Sequence, residues 1–370
     1  MDGLGQWGMR VCRRAVAGAF ALLLPASAAG ADQTRPVLKV LSFHDPVALS
    51  AFERVHRFEA ERGCWVDWEM RLHYELASLA FDELREYDVV TVDEPWVPAL
   101  HDRLRPLGAW PRNGESARPK TGPGSWAGAC YGVPIARNRY LYTYRADVFS
   151  DPELKRRFER RYRASFAPPS TAAELMRLTR FLHESTDFAG FAPVTRPSES
   201  LAVDLLWFLK TAGVDLANPR HRANPDRRAM RTAFARMTEL RGMTPKWSDD
   251  AFVKDVNDAF IRGEVAHVFQ WTSLLDPLRN PLFSRIGAET GFAPLPGGAG
   301  AAPFSITGVW YLAIPRGEAR QAELAAAFVD WWSGLREGET PLPGEMGGPG
   351  SAVPEWSRPR LERYRAFSEL

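Results

Sequence analysis

Two carboxylates stand side by side at Asp93 and Glu94, directly after a strand-like run YDVVTV (Tyr87–Val92), with Trp96 two positions further on. A carboxylate pair could do acid and base work on a glycoside, but that chemistry needs the two groups facing each other about 5 to 9 Å apart. Neighbours on an extended segment diverge, so accepting hydrogen bonds from a ligand is the expected role of Asp93 and Glu94. A secreted hydrolase would rest on these two residues alone. The other arrangements that carry catalysis are absent from the sequence: no HExxH, no GxxxxGK[ST], no GxGxxG after a strand, no GxSxG. No CxxC occurs either, so a thiol-redox or zinc site has no support. The chain is expected not to be an enzyme and to need no cofactor or metal.

Aromatic side chains at the edges of loops are what the chain offers instead. Trp96 follows one strand-like run, Trp271 follows another, Trp310 lies beside Gly308, and Tyr140, Tyr142 and Tyr144 alternate along a third. An aromatic face joins a broad apolar surface to a polar edge, which suits a ligand carrying both CH and OH groups, such as a sugar. Trp65, Trp207, Trp331 and Trp332 fall inside regular elements and are expected to pack in cores. His44 and Asp45, just past the run VLKVLSF (Val37–Phe43), complete the set of loop-edge candidates.

The elements that must position these residues follow from patterning. Val37–Phe43 reads as a strand, and apolar residues at helical spacing (Leu49, Phe52, Val55, Phe58) predict one helix from Val47 to Arg62, stopped by Gly63. Residues 64–70 alternate as a second strand, a further helical stretch follows, and Tyr87–Val92 is a third strand. Strand, helix, strand, helix, strand is the pattern of a parallel sheet covered by helices. Such sheets bind ligands beyond the carboxyl ends of their strands, where His44, Asp45, Asp93, Glu94 and Trp96 stand. Past the Pro, Gly and Arg-rich loop from Pro106 to Gly128 the chain becomes mostly helical. Ser170 and Thr171 followed by Glu174 form a capping box, Ser200 to Ala212 is a helix, and Met230, Phe234, Met237 and Leu240 mark another. Phe252, Val256 and Phe260 mark the next. Strands are expected at Val265–Phe269 and Ile306–Ile314, and a last helix over Gln321–Trp332.

With 370 residues, past the roughly 250 to 300 at which a single core stops growing, two lobes are the default. The formal charge is only +2, and the first 31 residues carry Arg10, Arg13 and Arg14 against Asp2, so the remainder has equal numbers of the two signs. That balance gives no electrostatic grip on nucleic acid or an anionic membrane. Those 31 residues have the basic, apolar, small-residue order of a cleavable secretory signal, with an apolar run at Ala15–Leu24. The run is too short for the ~20 residues of a membrane span. Cleavage after Ala28 or Ala31 would leave Cys64 and Cys130 in an oxidising compartment, either bridged or separately buried.

Six segments in order carry a family resemblance: YDVVTVDEPW (Tyr87–Trp96), YGVPIARNRYLYTYRADVF (Tyr131–Phe149), PPSTAAELMRLTRFL (Pro168–Leu182), AFIRGEVAHVFQW (Ala259–Trp271), GFAPLPGG (Gly291–Gly298) and GVWYLAIPRG (Gly308–Gly317). They resemble the extracellular solute-binding proteins of ABC transporters, in the sugar-binding group. The resemblance implies an α/β, two-lobe periplasmic binding protein-like fold of class II. Each lobe would be a mainly parallel sheet flanked by helices, the two joined by crossing hinge strands. It implies an N-terminal lobe of residues 32–135 plus 308–335, a C-terminal lobe of 136–307, and a loop with a shortened C-terminal segment over 336–370. Its ligand positions map onto Phe43, His44, Asp45, Asp93, Glu94, Trp96, Arg137, Asn138, Tyr140, Gln270, Trp271, Gly308 and Trp310. A periplasmic monomer would bind a sugar between its lobes, close by a hinge, and deliver it to ABC permease subunits. The family continues into further helices on the second lobe, whereas this sequence ends at Leu370. That departure supports an alternative expectation, an accessory or sensor protein of the same fold that binds a periplasmic protein partner.

Overall fold

The computed structural model describes residues 35–79, 83–107, 124–216, 223–274, 289–317 and 321–335, with a few positions between 275 and 288. The expected leader at 1–31 and the C-terminal segment 336–370 lie outside the described residues. In chain order the strands are β1 Val37–Phe43, β2 Trp65–Arg71, β3 Val89–Asp93, β4 Ser125–Trp126, β5 Ala129–Cys130, β6 Val133–Arg145, β7 Ala189–Phe191, β8 Val265–Trp271, β9 Thr290–Ala293 and β10 Ile306–Ala313. The helices are α1 Pro46–Phe52, α2 Val55–Arg62, α3 His73–Ser78, α4 Val97–Leu100, α5 Ala146–Ser150, α6 Pro152–Tyr162, α7 Ala172–Ser185, α8 Glu199–Thr211, α9 Arg227–Arg241, α10 Val253–Ile261 and α11 Ala322–Gly334.

The chain divides into two compact units and passes between them twice, at Arg137–Asn138 within β6 and at Thr307–Gly308 within β10. In the first unit the sheet runs β2-β1-β3-β10. β1 is parallel to β2 and to β3, and β10 is antiparallel to β3. Strands covered on both faces should be mostly apolar, and in β3 Val89, Val90 and Val92 are all but fully buried, with Thr91 the buried polar exception. The core is closed by α11, whose Phe328 and Trp332 meet Trp68 of β2 at centroid distances of 5.4 and 4.8 Å. Trp68 donates its indole N–H to Ser42 Oγ at 2.8 Å, so its one polar atom is satisfied inside. At Gly132, just before β6, an added Cβ would come within 2.5 Å of Tyr311 Cβ, and only glycine allows that approach.

The expected single helix over 47–62 is two, turning at Glu53 and Arg54. The turn lets α1 bury Ala48 and Ala51 while α2 buries Val55 and Phe58, and it leaves Leu49 exposed rather than inward. Gly63 ends α2 in the left-handed conformation, φ +62°, as expected of a C-terminal glycine. Cys64 and Cys130 are both buried free thiols, so the unbridged alternative holds. Burial pushes the Cys64 thiol up.

The second unit has β6 antiparallel to both β8 and β9, and β7 parallel to β8. The capping box on α7 is present: Thr171 Oγ1 accepts from Glu174 N at 3.2 Å and Glu174 returns to Thr171 N at 3.1 Å. Trp207 on α8 is fully buried against Phe208 and Phe269 and donates to Pro296 O at 2.8 Å. On α9 the buried positions are Ala233 and Leu240, and Phe234, expected inward, is exposed. His267 of β8 is fully buried, with Nε2 2.9 Å from Thr179 Oγ1, and burial pushes its pKa down to about 3, so the ring is neutral. Among the described residues, no helix is long and apolar enough to cross a membrane.

Candidate ligand-binding site

In the first unit the site is built where β1 and β3 end together. Their parallel register, tied by Phe43 N donating to Thr91 Oγ1 at 2.8 Å, sets Phe43 and Asp93 at neighbouring strand ends, and β10 brings Trp310 opposite Asp93. Trp310 is the centre of the cluster. It stacks on Phe43 at 4.3 Å with the planes 9° apart, and meets Trp96 edge-on at 5.4 Å and 86°. Such offset and perpendicular pairs are the favoured geometries of aromatic rings.

His73, the first residue of α3, completes the wall. Its ring lies 5.5 Å from both Trp96 and Trp310, and Nε2 is 3.4 Å from Asp93 Oδ2. Sequence reasoning missed it, although it stands two positions past the end of β2, near a strand end as His44 and Asp93 are. Asp93 also accepts from Glu94 N at 2.8 Å, capping the 3-10 turn Glu94–Trp96 and fixing where Trp96 points. Burial raises the Glu94 carboxyl, and Asp93 adds to the rise while Arg137 opposes it. Trp96 also lines an apolar cavity of about 140 Å³ with Leu76, Leu84, Val92 and Leu100.

The remaining candidates of this unit stand differently. His44 is exposed, and its backbone N–H is used by Arg71 O at 2.8 Å. Asp45 caps α1, accepting from Val47 N at 2.9 Å. Arg137 is exposed and Gly308 half-buried.

In the second unit Tyr140 and Trp271 are opposite one another on β6 and β8, their rings 4.9 Å apart. Tyr140 is 1% exposed and its hydroxyl donates to Asp204 Oδ1 at 2.7 Å. It therefore backs Trp271, which is half-buried. Gln270 is buried, its Oε1 accepting from Trp271 N at 3.2 Å, while Nε2 has no partner among the described residues. Asn138 Oδ1 accepts from Thr272 Oγ1 at 3.2 Å, and Thr272 Oγ1 also takes the Arg139 N–H at 3.1 Å. Asp204 and Thr272 were not expected from sequence. A carboxylate on the buried face of α8 was the available signal for Asp204.

Each unit thus carries an indole edged by polar groups. No family model matches the chain, and no curated protein sequence matches it. Solved structures do match. One is the maltose-bound MalE3 of T. maritima, at 20% identity and TM-score 0.62 over 80% of this chain and 76% of that one. Another is an ABC transporter solute-binding protein from Thermotoga lettingae bound with α-D-tagatose, at 18% identity and TM-score 0.63 over 83% and 81%. A third, from Agrobacterium radiobacter K84 in complex with ribitol, gives 18% identity and TM-score 0.59 over 80% and 76%. At such identities the likeness establishes the fold: this chain has the α/β periplasmic binding fold found in sugar-binding solute-binding proteins of ABC transporters.

Proposed function

We propose that the protein is a carbohydrate-binding, non-catalytic solute receptor of an ABC importer. The observation that carries the reading is the pair of indole walls, Trp96 with Trp310 and Trp271 with Tyr140, each at a strand end and each beside groups that accept or donate to hydroxyls. One sugar or polyol would be held by residues from both units, among Phe43, His44, Asp45, Asp93, Glu94, Trp96, Arg137, Gly308 and Trp310 on one side and Asn138, Tyr140, Gln270 and Trp271 on the other. The two chain passages within β6 and β10 would serve as the hinge. A ligand touching both units only in a closed form shifts the population toward that form by its differential affinity. The closed form is then what membrane permease subunits would recognise, after export to the periplasm by the leader at residues 1–31.

Thermal melting against a panel of maltose, ribitol, D-tagatose and other sugars and polyols tests this. A ligand at about a hundredfold its Kd adds about 2.7 kcal/mol to the native state, enough to raise the melting temperature by several degrees. A panel that leaves the melting temperature unmoved contradicts the proposal.

A further inference from the structure

Asp204 is 2% exposed on α8, on the face that also buries Trp207 and Phe208. A buried carboxyl is costly unless its oxygens are satisfied. The Tyr140 hydroxyl donates to Oδ1 at 2.7 Å and Val194 N donates to Oδ2 at 3.1 Å, and neither donor is a cation. From β6 the titratable group that faces it is Tyr140, and the segment after β7 presents the Val194 N–H. On α8 itself Lys210 is paired with Asp215; from α9, Arg236 reaches the Thr211 carbonyl instead; and His267 of β8 is engaged with Thr179. Among the described residues no charged side chain acts on this carboxyl.

We infer that Asp204 is a positioning residue for the ligand wall of the second unit: its carboxyl holds Tyr140, Tyr140 backs Trp271, and exchange of the carboxyl proton with solvent changes how that wall is held. The inference rests on Trp271 being a ligand wall, as proposed above. Burial lifts the Asp204 carboxyl to about 7, with the Tyr140 and Val194 hydrogen bonds pulling the other way. Burial and the neighbouring Asp204 raise the Tyr140 hydroxyl, which keeps its proton throughout. Above neutrality Tyr140 donates to a carboxylate, the stronger, charge-assisted form of the bond. Below it the carboxyl carries a proton of its own, and the Tyr140 hydroxyl has a neutral acceptor in place of a charged one, the weaker form of the bond. The sign for stability follows from the folded value near 7 against 3.8 for an ordinary Asp: the folded state holds the extra proton between the two, and this contribution is lost as pH rises through 7.

The test needs no ligand. The Trp271 fluorescence, taken as the difference between the parent protein and Trp271→Phe, is followed from about pH 5.5 to about pH 8.5, a range that spans the midpoint. The parent is expected to show one transition near neutrality, abolished in Asp204→Asn and in Tyr140→Phe, both checked for native circular dichroism. A transition that persists in Asp204→Asn, or a flat parent titration, overturns the inference. A transition lost in Asp204→Asn yet intact in Tyr140→Phe overturns the route through Tyr140. If the transition behaves as expected while no carbohydrate binds, the functional proposal fails and the Asp204 coupling stands.

Discussion

Trp271→Ala is expected to weaken carbohydrate binding roughly ten- to a hundredfold. Covering an aromatic face of this size is worth about 1.5 to 3 kcal/mol, and each 1.4 kcal/mol or so is a factor of about ten in Kd. The indole is half-buried with Tyr140 packed against it at 4.9 Å, so on the proposed function truncation should remove ligand contact without opening the centre of the core. Trp271→Phe keeps an aromatic face and should retain most of the affinity. Isothermal calorimetry with the best sugar of the thermal panel, on all three proteins, checks the order. Equal affinities for the parent and Trp271→Ala would remove Trp271 from the site.

The largest stability effect is expected at Trp207. The side chain is fully enclosed, packs on Phe208 and Phe269 at 4.8 and 4.7 Å, and spends its N–H on Pro296 O. Trp207→Ala should cost about 3 to 5 kcal/mol through lost burial and the cavity left behind, and the carbonyl of Pro296 loses its donor. For a unit of this size that lowers the melting temperature by on the order of 10 °C. Trp65→Ala is the contrast. Trp65 is 36% exposed at the start of the edge strand β2, so its loss should change stability by within about 0.5 kcal/mol. Scanning calorimetry of the two variants separates them; comparable losses would mean that the burial assigned to one of the two tryptophans is wrong.

The contrast between these tryptophans shows what the sequence could and could not reveal. Trp207 and Trp332 sit at helical spacings shared with other large apolar residues and are buried as expected, whereas Trp65 opens an alternating run and goes outward. Strand ends were readable because short β-branched runs such as Val89–Val92 stop abruptly at polar residues and turn formers, and that is where Asp93 and Trp96 stand. His73 and Asp204 carried only weak signals, a place just past a strand end and a carboxylate on a buried helix face. His73 and Asp204 owe their roles to register and helix orientation, which bring them against Trp310 and Tyr140 from far along the chain. α6 escaped notice because five basic residues crowd Leu154 and Phe158, the two that anchor it. The break between α1 and α2 escaped for the opposite reason: small alanines, not Leu49, make the contact, and alanine spacing carries little periodic signal.

The most direct test of the central claim is a calorimetric titration of the best-binding carbohydrate into three proteins: the parent, Trp96→Ala in one unit and Trp271→Ala in the other. Maltose, ribitol and D-tagatose are the first probes. The account predicts one site per chain in the parent and a Kd raised by about tenfold or more in both variants. Undiminished binding in either variant, or no binding of any sugar or polyol to the parent, contradicts it.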